Sequence, residues 1–205
     1  IEGDRGTLVL DRWNKLTVHT ADGAEVRDVD PAVPAWGAKP WHNVQDSVVN
    51  FQRHAIDVMN GRSLPQPSGA DNLRTMTLAL QDARAESKQV DYVNAHATST
   101  VVGDEVEVKA LQAVFGKRIN KVLVNATKSL IGHTLGAAGA IATIATSLAL
   151  DNNVIHPTVN YTDPDPKCAL PGISSNVQKK SLRMALVNAF GFGSNNAVLV
   201  LKKDS

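Results

Sequence analysis

Two histidines and a lysine carry the chemistry this sequence can hold. His96 stands in Asn94-Ala95-His96-Ala97-Thr98-Ser99-Thr100, and Lys128 and His133 lie in the stretch from Asn125 to Ala140. A neutral imidazole donates one hydrogen bond and an ammonium supplies a fixed charge. The set therefore suits stabilising an oxyanion, positioning a carboxylate or relaying a proton. His133 stands just ahead of Gly136-Ala137-Ala138-Gly139-Ala140, a run that reads as the start of a small-residue helix near Thr134. A histidine at the positive end of a helix dipole is suited to donating from a neutral ring to a developing oxyanion. The competing reading is a core histidine beside a packed helix. Neither His96 nor His133 has an acidic or histidine partner at ligand spacing, so no metal is expected. His19, His42, His54 and His156 stand in less patterned surroundings and read as surface or packing residues.

The elements that must position these groups follow from periodicity. Val90 to Ala95 and Lys121 to Asn125 read as buried strands, each running into one of the histidine loops. Met184 to Ala189 and Ala197 to Leu201 read as two more strands, joined by Gly191-Phe192-Gly193-Ser194-Asn195-Asn196. From Asp71 a helix puts Leu73, Met76, Leu80 and Ala83 on one face. Asp104 and Glu107 have capping-box spacing ahead of Val108, Leu111 and Phe115, with Gly116 to stop the helix. The small-residue helix runs to about Leu150, and its glycines and alanines let backbone approach closely, so it is expected to be buried on all sides. Its apolar part is shorter than the ~20 residues a bilayer needs, so no membrane span is expected. Strands separated by helices with a closing hairpin indicate an α/β layered domain, and three loops at strand ends are where ligand sites collect.

Before this region the pattern is weaker. Thr7 to Leu10 suggests a strand. Residues 13 to 46 hold Trp13, Trp36, Trp41, Pro31, Pro34 and Pro40 without a steady period and read as an irregular excursion, with a hairpin turn at Asp22-Gly23. Ser47 to Val58 fits strand or helix.

Composition bounds the function. A chain of 205 residues, 43% hydrophobic and 20% charged, can bury one large core or two small ones. A net charge of +1 gives no sign of a nucleic-acid or membrane surface. The single cysteine, Cys168, allows no intrachain disulfide framework, so a cytoplasmic or organellar setting is expected. The opening Ile-Glu-Gly-Asp does not read as a signal peptide and lacks a starting methionine, as in a processed product or a piece of something longer.

Taken together, Asp91 to Thr100 with Gly103-Asp104, Thr127 to Gly139, Pro157-Thr158-Val159-Asn160 through Asp165-Pro166-Lys167-Cys168, and Asn188 to Gly193 resemble the C-terminal half of a β-ketoacyl-acyl-carrier-protein synthase of the elongating type. The resemblance covers about residues 65 to 202. It implies a thiolase-like α/β fold: residues 65–205 as its C-terminal half, and 1–64 as the last strand of the N-terminal half plus an insertion. Thr7 to Leu10 matches that strand, whose sheet-mates then lie outside this sequence. The activity implied is a decarboxylative Claisen condensation of a cysteine-bound acyl group with malonyl-acyl-carrier protein, in fatty-acid or polyketide synthesis, with no cofactor. By motif match His96 and His133 correspond to the two catalytic histidines and Lys128 to the active-site lysine. Thr98, Thr100, Phe190, Gly191, Phe192 and Gly193 correspond to substrate-binding positions, with Phe192 as an aromatic gate. Glu107 and Asn196 correspond to supporting residues.

The family's nucleophilic cysteine belongs to the other half. Cys168 matches a downstream loop, and Lys167 alone is a weak activator of a thiol. The resemblance therefore implies partners: an N-terminal half or partner subunit carrying the cysteine, an acyl carrier protein, and a dimer of heterodimers. Ala142 stands where the family usually has a glutamate paired with the lysine. Val101-Val102 and Ser194-Asn195 also depart from its pattern. Two readings follow, the histidine-bearing half of an active ketosynthase or a non-condensing relative such as a chain-length-factor-like partner or malonyl decarboxylase. Both histidines, Lys128 and Phe192 favour the first, and Ala142 favours the second.

Overall fold

The run Met184 to Phe190 is buried along nearly its whole length and forms strand β9 (Met184–Phe190), beside which the larger unit is laid out. A strand that is apolar on both sides requires cover on both faces. The computed structural model describes residues 2–3, 6–11, 15–30, 33, 35, 52–62, 69–191 and 195–204. The chain divides into two units, Ile1–Pro65 and Gln66–Ser205.

In the second unit β9 pairs antiparallel with β10 (Asn196–Lys202) on one side and parallel with β5 (Tyr92–Asn94) on the other, and β5 pairs parallel with β6 (Leu123–Asn125). The sheet order is β10-β9-β5-β6. Parallel neighbours need a crossover, and α3 (Gly103–Phe115) with the 3-10 turn Gly116–Lys121 supplies it between β5 and β6. The side-chain period of two then sends alternate residues to opposite layers. Val93 and Leu186 join Met76 and Leu80 of α2 (Gly69–Asp82) and Val108, Leu111 and Phe115 of α3. Tyr92 and Ala185 join Ala149 and Leu150 of α5 (Ala138–Asn152) on the other face. The unit is thus a helix–sheet–helix sandwich, as the alternation of strands and helices implied.

Local endings match local chemistry. Gly116, at φ 52, terminates α3 through an N–H bond to Gln112 O. Asn153 takes the left-handed conformation that ends α5, and its Oδ1 accepts from Leu182 N at 2.9 Å, tying the helix to the approach to β9. Gly172 is required by close approach, since a Cβ there would overlap the carbonyl of Val122.

Three expectations need correction. The capping box of Asp104 and Glu107 does not form. Val102 is the N-cap without a side-chain bond, and both carboxylates are used elsewhere, as described below. The small-residue helix is not buried on all sides. Ala142, Thr146, Ala149 and Leu150 face the sheet, while Ile144 and Leu148 are 61% and 57% exposed, because among the described residues of this unit only the sheet side covers α5. Leu135, in the 3-10 turn Leu135–Ala137 before it, is 78% exposed.

The third correction concerns the first unit. Thr7 to Leu10 lies in β2 (Gly6–Asp11), which is paired on both sides, with β1 (Glu2–Gly3) and β3 (Lys15–Thr20). β3 pairs in turn with β4 (Gly23–Asp28) across a turn at residues 21–22, the hairpin expected at Asp22-Gly23. Sheet-mates for β2 are therefore present within the chain, and residues 15–28 of the excursion form a regular hairpin, while Trp13, Trp36, Trp41, Pro31, Pro34 and Pro40 lie outside the described residues. Backbone pairing supplied what side-chain period did not show. The stretch from Ser47 to Val58, left open between strand and helix, is helical from residue 52, in α1 (52–59), and its residues 47–51 lie outside the described residues.

Candidate functional site

β5, β6 and β9 run parallel and end at one edge of the sheet, so their C-terminal loops share that edge. β5 is followed by His96, β6 by Lys128, and β9 ends on Phe190. The His96 loop is held in an unusual backbone path. Ala97 and Ser99 have φ of 37° and 61°, a region that residues with a Cβ rarely adopt. Surrounding groups over-determine it. Glu107, on α3 and 4% exposed, accepts from the backbone N–H of His96 and of Ala97, both at 2.9 Å. Asp104 Oδ1 accepts from Ser99 N at 3.1 Å, and Thr100 Oγ1 from Gly103 N at 3.2 Å. Thr98 and Thr100 hydroxyls lie 3.4 Å apart.

Lys128 opens the short helix α4 (Lys128–Ile131). Its Nζ donates to the carbonyl oxygen of His96 at 2.6 Å and lies 3.4 Å from His96 Nδ1. Gly132, at φ 73, ends α4 and turns the chain into His133. His133 Nδ1 accepts from Leu135 N at 3.1 Å, so in a neutral ring the proton is on Nε2. The rings of His96 and His133 meet edge to face, 5.9 Å between centres at 88°. The Phe190 ring lies 5.9 Å from the His96 ring, tilted by 57°.

These groups line a cavity of about 220 Å³ with Asn188, Gly191 and Asn195. A second cavity, about 360 Å³, opens beside it between Thr98, Ser99, Lys128, His133, Asn160 and Tyr161. Burial, then the Lys128 ammonium and the neighbouring His133, push the His96 ring down to about 4, so His96 is neutral at neutral pH. Burial lowers Lys128, with Glu107 and Asp104 pulling the other way. Burial raises Glu107, opposed by its N–H donors and by Asn188. An ammonium and two imidazoles facing one cavity can stabilise negative charge that builds on an oxygen placed there.

His96, Lys128, His133, Phe190 and Gly191 come together around the first cavity, and Thr98 faces the second. Thr100 supports the loop backbone. Glu107 lies behind His96. Asn196 is turned away, its Nδ2 donating to Asn72 Oδ1 at 3.2 Å. Phe192 and Gly193 lie outside the described residues, as does His42. Ala142 is buried, and its carbonyl accepts from Asn94 Nδ2 at 3.2 Å. Cys168 borders a separate, mainly apolar cavity of about 110 Å³, and burial followed by Asp165, Asp104 and Glu105 pushes its thiol up, the reverse of an activated nucleophile.

Sequence reasoning missed the layer beneath. Asn94 Nδ2 donates to the hydroxyls of Thr127 (2.7 Å) and Thr146 (3.0 Å). Thr127 and Asn125 both reach His156, which had read as a surface or packing residue and here packs the segment before Pro157 against the end of β6. Only the polar type of these residues inside apolar runs signalled the network. Among the described residues no cluster of three or more His, Cys, Asp or Glu is placed to hold a metal, and no helix is long and apolar enough to cross a membrane.

Comparison with known proteins gives the family and the fold. Residues 49–162 match the family model described as β-ketoacyl synthase, C-terminal domain. The 3-oxoacyl-[acyl-carrier-protein] synthase 2 of Staphylococcus aureus strain COL is 43% identical over 139 residues, 68% of this chain and 34% of that protein. A β-ketoacyl synthase of Burkholderia phymatum STM815 superposes with a TM-score of 0.65 at 36% identity, over 71% of this chain and 35% of that one. A type II PKS ketosynthase structure, with its acyl-carrier protein and bound to the hexaketide, gives 0.64 at 34% identity, over 69% and 35%. The chain spans about a third of the length of the curated relatives it matches. The fold is thiolase-like and corresponds to the C-terminal half of these synthases.

Proposed function

The chain belongs to the β-ketoacyl synthase family through its C-terminal domain, and from that premise we propose that it is the histidine-bearing half of a condensing enzyme. The reaction is the decarboxylative Claisen condensation of an acyl thioester with malonyl-acyl-carrier protein. Loss of carbon dioxide leaves its electron pair as a thioester enolate, whose oxygen needs hydrogen-bond donors. His96 supplies one as a neutral ring and His133 another, and Lys128 holds the His96 loop and adds positive charge. The enolate carbon then forms a bond to the acyl carbonyl, the acyl C–S bond breaks, and the cysteine thiolate released takes a proton.

The observation that carries this reading is the edge-to-face meeting of the two histidine rings above a cavity with Lys128 beside them. The nucleophilic cysteine comes from an N-terminal half or partner chain, since the Cys168 thiol is pushed up and borders a different cavity. In this reading Thr98, Thr100, Phe190 and Gly191 contact substrate. By motif match Phe192 and Gly193 are further substrate-binding positions, with Phe192 as the gate. An acyl carrier protein delivers the malonyl group, and two copies of each half form the assembly, in the cytoplasm or an organelle. The test is co-expression with the nucleophile-bearing half, followed by an assay for carbon dioxide and 3-oxoacyl product from malonyl- and acyl-carrier protein. An assembled complex that forms neither overturns the reading.

A further inference from the structure

Asn188, on β9 and 2% exposed, donates from Nδ2 to Glu107 Oε1 at 2.9 Å, and the same nitrogen lies 3.7 Å from Met76 Sδ. Its Oδ1 is buried and accepts no hydrogen bond among the described residues. A carboxylate only accepts, so the amide must turn its NH2 towards Glu107, which dictates this orientation and strands the oxygen. Leaving a buried acceptor unpaired is costly. That cost is understandable where the donor is needed, and here the donor serves the carboxylate that holds His96. Glu107 spends its other bonds on the N–H groups of His96 and Ala97, at the point where the backbone enters the left-handed region.

Resting on the function proposed above, we propose that Asn188 is a positioning residue for His96, acting through Glu107. By fixing the direction of the Glu107 carboxylate it fixes the 96–97 backbone from one side, while Lys128 fixes the His96 carbonyl from the other. The ring direction in the cavity follows from both. Asn188 sits in the Asn188-Ala189-Phe190-Gly191 stretch, so the strand that delivers Phe190 to the cavity also sets the opposite wall.

The test separates the two half-reactions of the assembled enzyme at pH 8. Acyl transfer onto the cysteine does not call on the enolate site, whereas malonyl decarboxylation and condensation do. Asn188→Asp keeps the shape and sets a second carboxyl group against Glu107 in place of the amide donor. It is expected to slow condensation tenfold or more while self-acylation stays within twofold. The double variant Asn188→Asp with Glu107→Gln returns one amide and one carboxylate to the pair, and is expected to recover condensation several-fold. If Asn188→Asp does not fold, Asn188→Ser, which keeps a hydroxyl donor, should retain more condensation than Asn188→Ala. Equal losses in both half-reactions, no loss, or no difference between the serine and alanine variants overturns the proposal. If the wild-type complex performs neither half-reaction, the function reading has failed. The placement is then tested by a crystal structure of the Asn188→Asp or Asn188→Ser chain. A 96–97 backbone shifted from Glu107 supports it, and an unmoved one overturns it.

Discussion

The Nζ of Lys128 donates to the carbonyl oxygen of His96 at 2.6 Å, so the backbone of one histidine is held by the lysine that precedes the other by five residues. Charge-assisted bonds of this kind are shorter and about twice as strong as neutral ones. The same ammonium helps to hold the His96 ring below the ordinary histidine value, second to burial. Lys128→Met is therefore expected to raise the His96 titration without returning it to 6.5, because burial remains. Ring chemical shifts followed against pH in histidine-labelled protein check this. A titration that falls or does not move removes Lys128 from the electrostatics of His96.

The depressed His96 value also links stability to pH. The unfolded histidine titrates near 6.5 and the folded one near 4, so between these the unfolded chain binds more protons. This stabilising contribution is fully present above about 6.5 and is lost as pH falls towards 4. His96→Gln should lose less stability than the wild type between pH 7.5 and 4.5 in urea denaturation of the assembled protein. A steeper acid loss in the variant contradicts the assignment.

Glu107 had two readings, a cap partner of Asp104 worth ~1 kcal/mol and a supporting residue of the site. The structure argues for a larger effect, since the buried carboxylate accepts from two backbone N–H groups and one amide. A glutamine there turns an NH2 towards at least one of these donors. The expected cost is about 1–3 kcal/mol, the penalty for a buried group left unsatisfied. A melting temperature unchanged from wild type returns Glu107 to the role of a simple helix-end residue.

His133 is exposed, and among the described residues its ring takes one side-chain hydrogen bond, from Leu135 N. His133→Ala should therefore leave folding nearly intact. In the assembled enzyme it should slow condensation by about a hundredfold or more, the usual loss for an oxyanion donor. Turnover within threefold of wild type takes His133 out of the mechanism.

The outer face of α5 carries Ile144 and Leu148, with Leu135 just before it, all more than half exposed. Ile144 and Leu148 stand one turn apart on one helix face, exposed apolar surface that calls for a partner, and the proposed nucleophile-bearing half is the natural cover. The double variant Ile144→Asp with Leu148→Asp is expected to abolish co-purification with that half and to make the free chain more soluble. A wild-type chain that sediments as a well-behaved 21.9 kDa monomer when the other half is present speaks against the assembly.

The residues alone determined the layered α/β unit, because Val93 and Leu186 alternate with Tyr92 and Ala185 at the period of a strand, and Met76, Leu80, Leu111 and Phe115 recur at the period of a helix. They also placed His96, Lys128, His133 and Phe190 at or shortly after strand ends, since strand and helix breaks are local and written in local residue types. What only the tertiary structure decided is how those loops are held. Glu107 and Asp104 have capping-box spacing, yet their carboxylates reach back to residues 96, 97 and 99, a choice set by the stacking of α3 against β5 rather than by spacing. Asn188 meets Glu107 across 81 residues and His156 meets Asn125 across 31. The exposed side of α5 was equally hidden in the sequence. Its apolar residues signal burial in either case, and only the arrangement of layers shows which face this chain covers and which it leaves open.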